Sequence, residues 1–181
     1  MVAEDWGDDQ QEAAEDREDE ATARLREAAA RYRSSWETAP PRSYGRLVAF
    51  LKSAVLAGDA EPAAAWVRAE LDGACDSPTS CYALAVAALV EGDDPAAAEA
   101  AAAMDEGGEA FARAAEALAA LAAGDAPRYR EAVAAIVADF EGRDAHLTGV
   151  PIADTALLME ALAERRGMAA RIESPLLPAA V

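Results

Sequence analysis

The sequence predicts an all-α protein: antiparallel helical hairpins stacked into a short array of about eight helices, behind a disordered acidic N-terminal tail. Three observations carry that expectation. Alanine, the strongest helix former, supplies 52 of the 181 residues. Apolar residues recur near 3.6-residue spacing through most of the chain. A Gly-Asp turn followed by proline occurs three times, each time between two such runs.

The N-terminus is the most charged part. Residues 1–20 hold ten carboxylates (Glu4, Asp5, Asp8, Asp9, Glu12, Glu15, Asp16, Glu18, Asp19 and Glu20) against Arg17 alone. Like charge at this density repels itself, and little apolar area offsets the entropy of ordering. Residues 1–16 are therefore expected as a disordered tail. Trp6 is its only large apolar group; the plain reading is a solvated, solubilising tail, and the sharper ones are Trp6 as an anchor for a partner or the tail as a mimic of nucleic-acid charge. A first helix follows in residues 17–39, with Ala21, Leu25, Ala28, Ala29, Tyr32 and Trp36 on one stripe. Ala39-Pro40-Pro41 stops it, because proline lacks the N–H and biases its predecessor away from the helical region. Residues 40–181 remain, enough for one domain with its own core.

That domain is punctuated by Ala57-Gly58-Asp59-Ala60-Glu61-Pro62, Glu91-Gly92-Asp93-Asp94-Pro95 and Ala123-Gly124-Asp125-Ala126-Pro127. Glycine takes the left-handed conformation that ends one helix, aspartate caps the next, and proline is tolerated in a first turn. Three copies at separations of 34 and 32 residues predict a repeated helix–turn–helix unit. The units pair Tyr44–Ala57 with Pro62–Leu71, Thr79–Val90 with Ala96–Met104, and Glu109–Ala122 with Arg128–Phe140.

Period and turn together resemble the tetratricopeptide repeat, over residues 44–141. If the three glycines occupy that repeat's turn, its small-residue sites fall at Leu51, Ala85 and Ala117 in the first helices and at Ala63, Ala97 and Tyr129 in the second. Four of the six fit; Leu51 and Tyr129 depart, and most aromatic positions of the motif are absent. The resemblance implies a stacked array whose inner surface binds a peptide or partner protein. The Lys and Asn cluster with which some such domains grip a carboxylate terminus is not evident, since Lys52 is the only lysine and asparagine is absent.

After Phe140, residues 141–150 read as a polar connection carrying the only histidine, His146. Pro151 to Arg166 is predicted as the last helix, with Ile152, Leu158 and Leu162 on its stripe and Gly167 as its stop. The final stretch, with Ser174-Pro175-Leu176-Leu177-Pro178, is expected to stay extended and to fold Leu176 and Leu177 onto a helical groove. This ending, a helix closing on Arg165-Arg166-Gly167 ahead of an apolar tail, looks like the C-termini of some all-α immunity proteins of bacterial polymorphic toxin systems. The likeness covers about thirty residues and implies neutralisation of a toxin by binding. An acidic surface would suit a basic partner.

Composition excludes several classes. The net charge of −18, from 34 acidic and 16 basic residues, argues against nucleic-acid binding and against an anionic membrane surface. No run is long and apolar enough to span a bilayer, and the acidic start is unlike a signal peptide. A cytoplasmic protein is expected. Cys75 and Cys81 make neither a Cys-x-x-Cys redox motif nor a zinc set, and in a reducing cytoplasm they read as two small packing residues, with a disulfide between them as the alternative.

Catalytic constellations are scarce. Asp139, Glu141, Asp144, His146 and Asp154 are the only cluster with metal-ligand chemistry, but they lack a recognised ligand spacing, and no metal or cofactor is predicted. Arg42, Arg46, Arg68, Arg113, Arg128 and Arg130 can line a groove for an acidic ligand, against the plainer reading of solvated helix faces. The expectation is a non-enzymatic protein-binding module, an adaptor or an immunity protein, with Trp6, Arg46, Arg113, Arg128 and His146 as candidate partner-binding residues. It has a protein partner of basic character and is a monomer or homodimer. The alternatives are an enzyme or accessory factor with a pocket near residues 141–155, or a small-ligand-binding regulator.

Overall fold

The computed structural model describes residues 5–145 and 151–178, with side chains from Glu15 onward and without that of Asp105. Over that span the chain is an all-α helical array. It runs α1 (Asp5–Glu37), α2 (Gly45–Leu56), α3 (Ala60–Leu71), α4 (Pro78–Glu91), α5 (Asp94–Ala102), α6 (Glu109–Ala123), α7 (Ala126–Glu141) and α8 (Asp154–Glu164). A single 3-10 turn, Asp105–Gly107, joins α5 to α6. Among the described residues there is no strand, and no helix is long and apolar enough to cross a membrane.

The helical backbone of α1 starts at Asp5, well before the Asp16 boundary the charge pattern suggests. Ala, Gln and Glu in this stretch are good helix formers, and carboxylates at a helix N-terminus favour its dipole. Trp6 lies on this helix, with its side chain outside the described residues. The C-terminal half of α1 is docked. Ala29 is buried, Arg26 pairs with Asp59 at 2.9 Å, and the Trp36 indole N–H donates to Glu70 at 2.8 Å. Tyr32, placed on the apolar stripe by its spacing, is exposed.

The three Gly-Asp turns fold alike. The amide of Asp93 donates to the Ala88 carbonyl at 2.9 Å and that of Gly92 to Leu89. Asp59 and Asp125 repeat the first bond to Ala54 and Ala120, and Gly58 and Gly124 repeat the second to Val55 and Leu121. This is the paired closure that ends a helix through a left-handed residue, and Gly92 takes it at φ 77°. The caps differ. Asp93 and Asp125 accept from the amides of Ala96 and Arg128, as expected. Asp59 makes no cap bond, because its carboxylate is engaged by Arg26. Helix α4 begins instead on a capping box in which Ser77 and Ser80 each accept from the other's backbone amide.

Consecutive helices pack on one another, and α2, α4 and α6 also touch directly. Helix α8 lies against α2, α6 and α7. With neighbours on most sides, α4 is buried nearly all round, including Cys81, Tyr82, Ala83, Ala85, Val86 and Ala87. Its alanines let neighbouring backbones approach closely. Leu51 and Tyr129, the two large residues at otherwise small positions, are both core residues.

Two further expectations are corrected. Cys75 and Cys81 are not separate packing residues; they form a disulfide with Cα atoms 4.6 Å apart. Cys75 lies within the α3–α4 connection and Cys81 is in the first turn of α4, so the chain's own reversal brings them within bonding range. The last helix begins at Asp154 rather than Pro151: Ala153, in a non-helical conformation, is its N-cap, and the Ala153 amide donates to the Leu176 carbonyl at 2.9 Å. The extended C-terminal segment itself is present, with Leu176 and Leu177 packed against the core. Arg165 and Arg166 at the end of α8 pair with Glu61 and Asp94, at the starts of α3 and α5.

Candidate functional site

Where α2, α6, α7 and α8 converge, the surface opens into a cleft of about 290 Å³. Ala110, Ile136, Phe140 and Ile152 give it an apolar lining, and Lys52, Arg113, Asp139, Arg143, Asp154 and Thr155 supply its polar groups. Local sequence explains each placement. Asp139 and Arg143 lie four residues apart where α7 ends, and meet at 2.5 Å. Arg113 is in the first turns of α6 and reaches the other oxygen of Asp139, also at 2.5 Å. Asp154 opens α8, where a carboxylate suits the helix N-terminus. Lys52 follows Leu51 on the margin of the buried stripe of α2 and extends its ammonium to Asp154 at 2.7 Å.

These cations are partly withdrawn from water: the side chains of Lys52, Arg113 and Arg143 are 17%, 26% and 32% exposed. The Arg143 guanidinium also lies over the Phe140 ring, 3.8 Å from its centroid. One carboxylate, Asp139, is thus shared by two guanidiniums. A second chamber of about 180 Å³ shares Lys52, Ala110 and Thr155 with the first and is otherwise lined by Val48, Thr79, Tyr82, Phe111 and Ala114. The Tyr82 hydroxyl is buried with no hydrogen-bond partner. Burial first, and the Asp154 charge second, push its pKa far above the ordinary tyrosine value, so it stays protonated.

Of the residues singled out from sequence, the described ones, Arg46, Arg113 and Arg128, do not converge. Arg113 lines the cleft. Arg46 donates to the carbonyl and hydroxyl of Ser35 at 2.6 and 2.7 Å, joining α2 to the end of α1. Arg128 forms a two-pronged pair with Glu116 at 2.5 and 2.8 Å, across the α6–α7 hairpin. Hydrogen bonding from Arg128 holds the Glu116 carboxyl below the usual range, and the pair raises the arginine. Arg42 pairs with Asp76, and Arg68 with Glu91 and Asp93. His146 lies outside the described residues. Asp139 and Asp154, from the cluster with metal-ligand chemistry, face cations here, and no group of three His, Cys, Asp or Glu side chains suited to a metal occurs among the described residues.

Sequence reading passed over Tyr82 and Thr155 and gave Lys52 no role in a site. One signal for Lys52 was present: the chain's only lysine interrupts the apolar run Leu47 to Val55. Tyr82 gave none, because an aromatic residue in an alanine-rich helix reads as core. No family model, curated protein or solved structure matches the chain.

Proposed function

We propose that this chain is a non-enzymatic protein-binding module, an adaptor or a toxin-neutralising immunity protein, that captures a basic protein partner through the acidic half of α1. The supporting observation is the shape and charge of that helix. At 33 residues it is about 50 Å long, whereas its neighbour α2 has 12 residues. Residues 15–21 are all exposed and include Glu15, Asp16, Glu18, Asp19 and Glu20.

The spacing of these carboxylates matters. Glu15 and Asp19, and Asp16 and Glu20, are like charges four residues apart, an arrangement that destabilises a helix on its own. A basic surface laid along the helix removes that repulsion and accelerates encounter. The resemblance of the C-terminal tail to immunity proteins points to the same partner chemistry. The test is affinity capture from the native host with the full chain and with Glu15→Gln, Asp16→Asn, Glu18→Gln, Asp19→Asn and Glu20→Gln combined. One stoichiometric basic protein is expected, lost in the variant and at high salt. Capture that neither salt nor neutralisation weakens would overturn the reading.

A second reading, a small-ligand-binding regulator, is favoured by one observation: the cleft beside residues 141–155 gathers charged groups from four helices around an apolar lining.

A further inference from the structure

We infer that the cleft between α2, α6, α7 and α8 is a binding site for a small organic monocarboxylate, its carboxylate facing Arg113 and Arg143 and its apolar body lying on Phe140, Ile136 and Ile152. The inference rests on the small-ligand reading and is independent of the acidic helix.

Charge selects the class of ligand. The chain holds about two acidic residues for each basic one, yet the cleft gathers three cations, Lys52, Arg113 and Arg143, against two carboxylates, Asp139 and Asp154. Lys52 and Asp154 neutralise each other at 2.7 Å. Asp139 then answers two guanidiniums with one charge, which leaves an excess of one positive charge at that end. The exposed Glu109 reaches Arg113 only at 3.5 Å and is too solvated to cancel it.

Geometry narrows the class further. Each guanidinium presents five N–H donors in a planar fork that matches a carboxylate. Asp139 takes one nitrogen of each, Nη2 in both cases. The remaining edges can bind a second carboxylate beside it. An excess of one charge suits a monoanion better than a phosphate dianion. The apolar lining calls for an organic body, because a hydrated inorganic ion gains nothing from Ile136 and Ile152. A volume of about 290 Å³ is at the small end for ligand pockets, so the acid is small. The chamber beyond Lys52 offers a longer body more apolar wall, at Val48, Phe111 and Ala114.

The experiment is titration of the full-length chain, followed by amide NMR and calorimetry. The probes are hexanoate, 3-phenylpropionate and indole-3-acetate, their primary amides, and inorganic phosphate. The expected result is saturable binding of at least one carboxylate, with shifts centred on residues 110–113, 139–143 and 152–155. The matching amide should bind at least tenfold more weakly. Arg143→Gln and, separately, Arg113→Gln should each weaken the carboxylate about tenfold, with the helical circular-dichroism signal unchanged. Equal binding of acid and amide would overturn the carboxylate assignment while leaving a ligand cleft. Binding of phosphate alone would overturn the organic ligand. Absence of binding across all the probes would overturn both the inference and the small-ligand reading.

Discussion

Tyr82 and Tyr129 have their rings in the core, but their hydroxyls are treated differently. The Tyr129 hydroxyl donates to Glu160 at 2.5 Å, and the same carboxylate accepts from the amides of Ala170 and Arg171. One side chain therefore ties α7, α8 and the C-terminal segment together. Burial and then this hydrogen bond push the Tyr129 pKa far above its ordinary value, so it remains a donor at any pH the fold survives. Tyr82 has the same desolvation without an acceptor. A buried donor left unpaired costs roughly 1–3 kcal/mol, and a hydrogen bond to a charged acceptor contributes a similar amount. The two Tyr→Phe substitutions should therefore move stability in opposite directions. Tyr82→Phe should stabilise by about 1 kcal/mol and Tyr129→Phe destabilise by about 2 kcal/mol, read as shifts in urea midpoint at unchanged slope. Destabilisation by Tyr82→Phe would mean that a water or ligand satisfies the hydroxyl in solution.

At the scale of elements, what was legible in the sequence is what local chemistry determines. Each Gly-Asp turn carries its own instructions within three residues, and all three closed the same way. Apart from the early start of α1, which is local, what sequence misplaced or missed depends on partners far along the chain. Helix α8 starts late, where the Ala153 amide meets the Leu176 carbonyl of the C-terminal segment, and the cleft joins Lys52 to Asp154 across 102 residues. The disulfide falls between these cases: a six-residue separation permits it, and only the reversal between α3 and α4 makes it. It closes a short loop whose other ties are the Ser77–Ser80 capping box and the Arg42–Asp76 pair. Loop-closure entropy for so short a ring is about 2 kcal/mol. Replacing both cysteines by serine should lower unfolding free energy by about that amount. Dithiothreitol should do the same to the parent chain and nothing to the variant. Equal stability of parent and variant under oxidising conditions would show that the capping box holds the loop unaided.

For the molecule as a whole, the net charge of −18 opposes the compact state through self-repulsion, while local ion pairs support it. The two respond differently to pH and salt. Hydrogen bonding from Arg165 lowers the Glu61 pKa, and Arg128 does the same to Glu116. Asp76 is lowered by hydrogen bonding from Tyr44, with Arg42 adding to it. Each has a folded pKa below its unfolded one. Its contribution is therefore complete above the unfolded carboxylate range, and is lost as pH falls through the folded value. The melting temperature is thus expected to change little between about pH 7 and pH 5, and to fall below about pH 4 as the paired groups protonate. At neutral pH, added salt screens exposed pairs that are worth little individually, but it also screens the collective repulsion, which is the larger effect here. Sodium chloride should raise the melting temperature at pH 7, and less so once the α1 carboxylates are neutralised. A melting temperature that falls with salt in both chains would instead place the balance with the ion pairs.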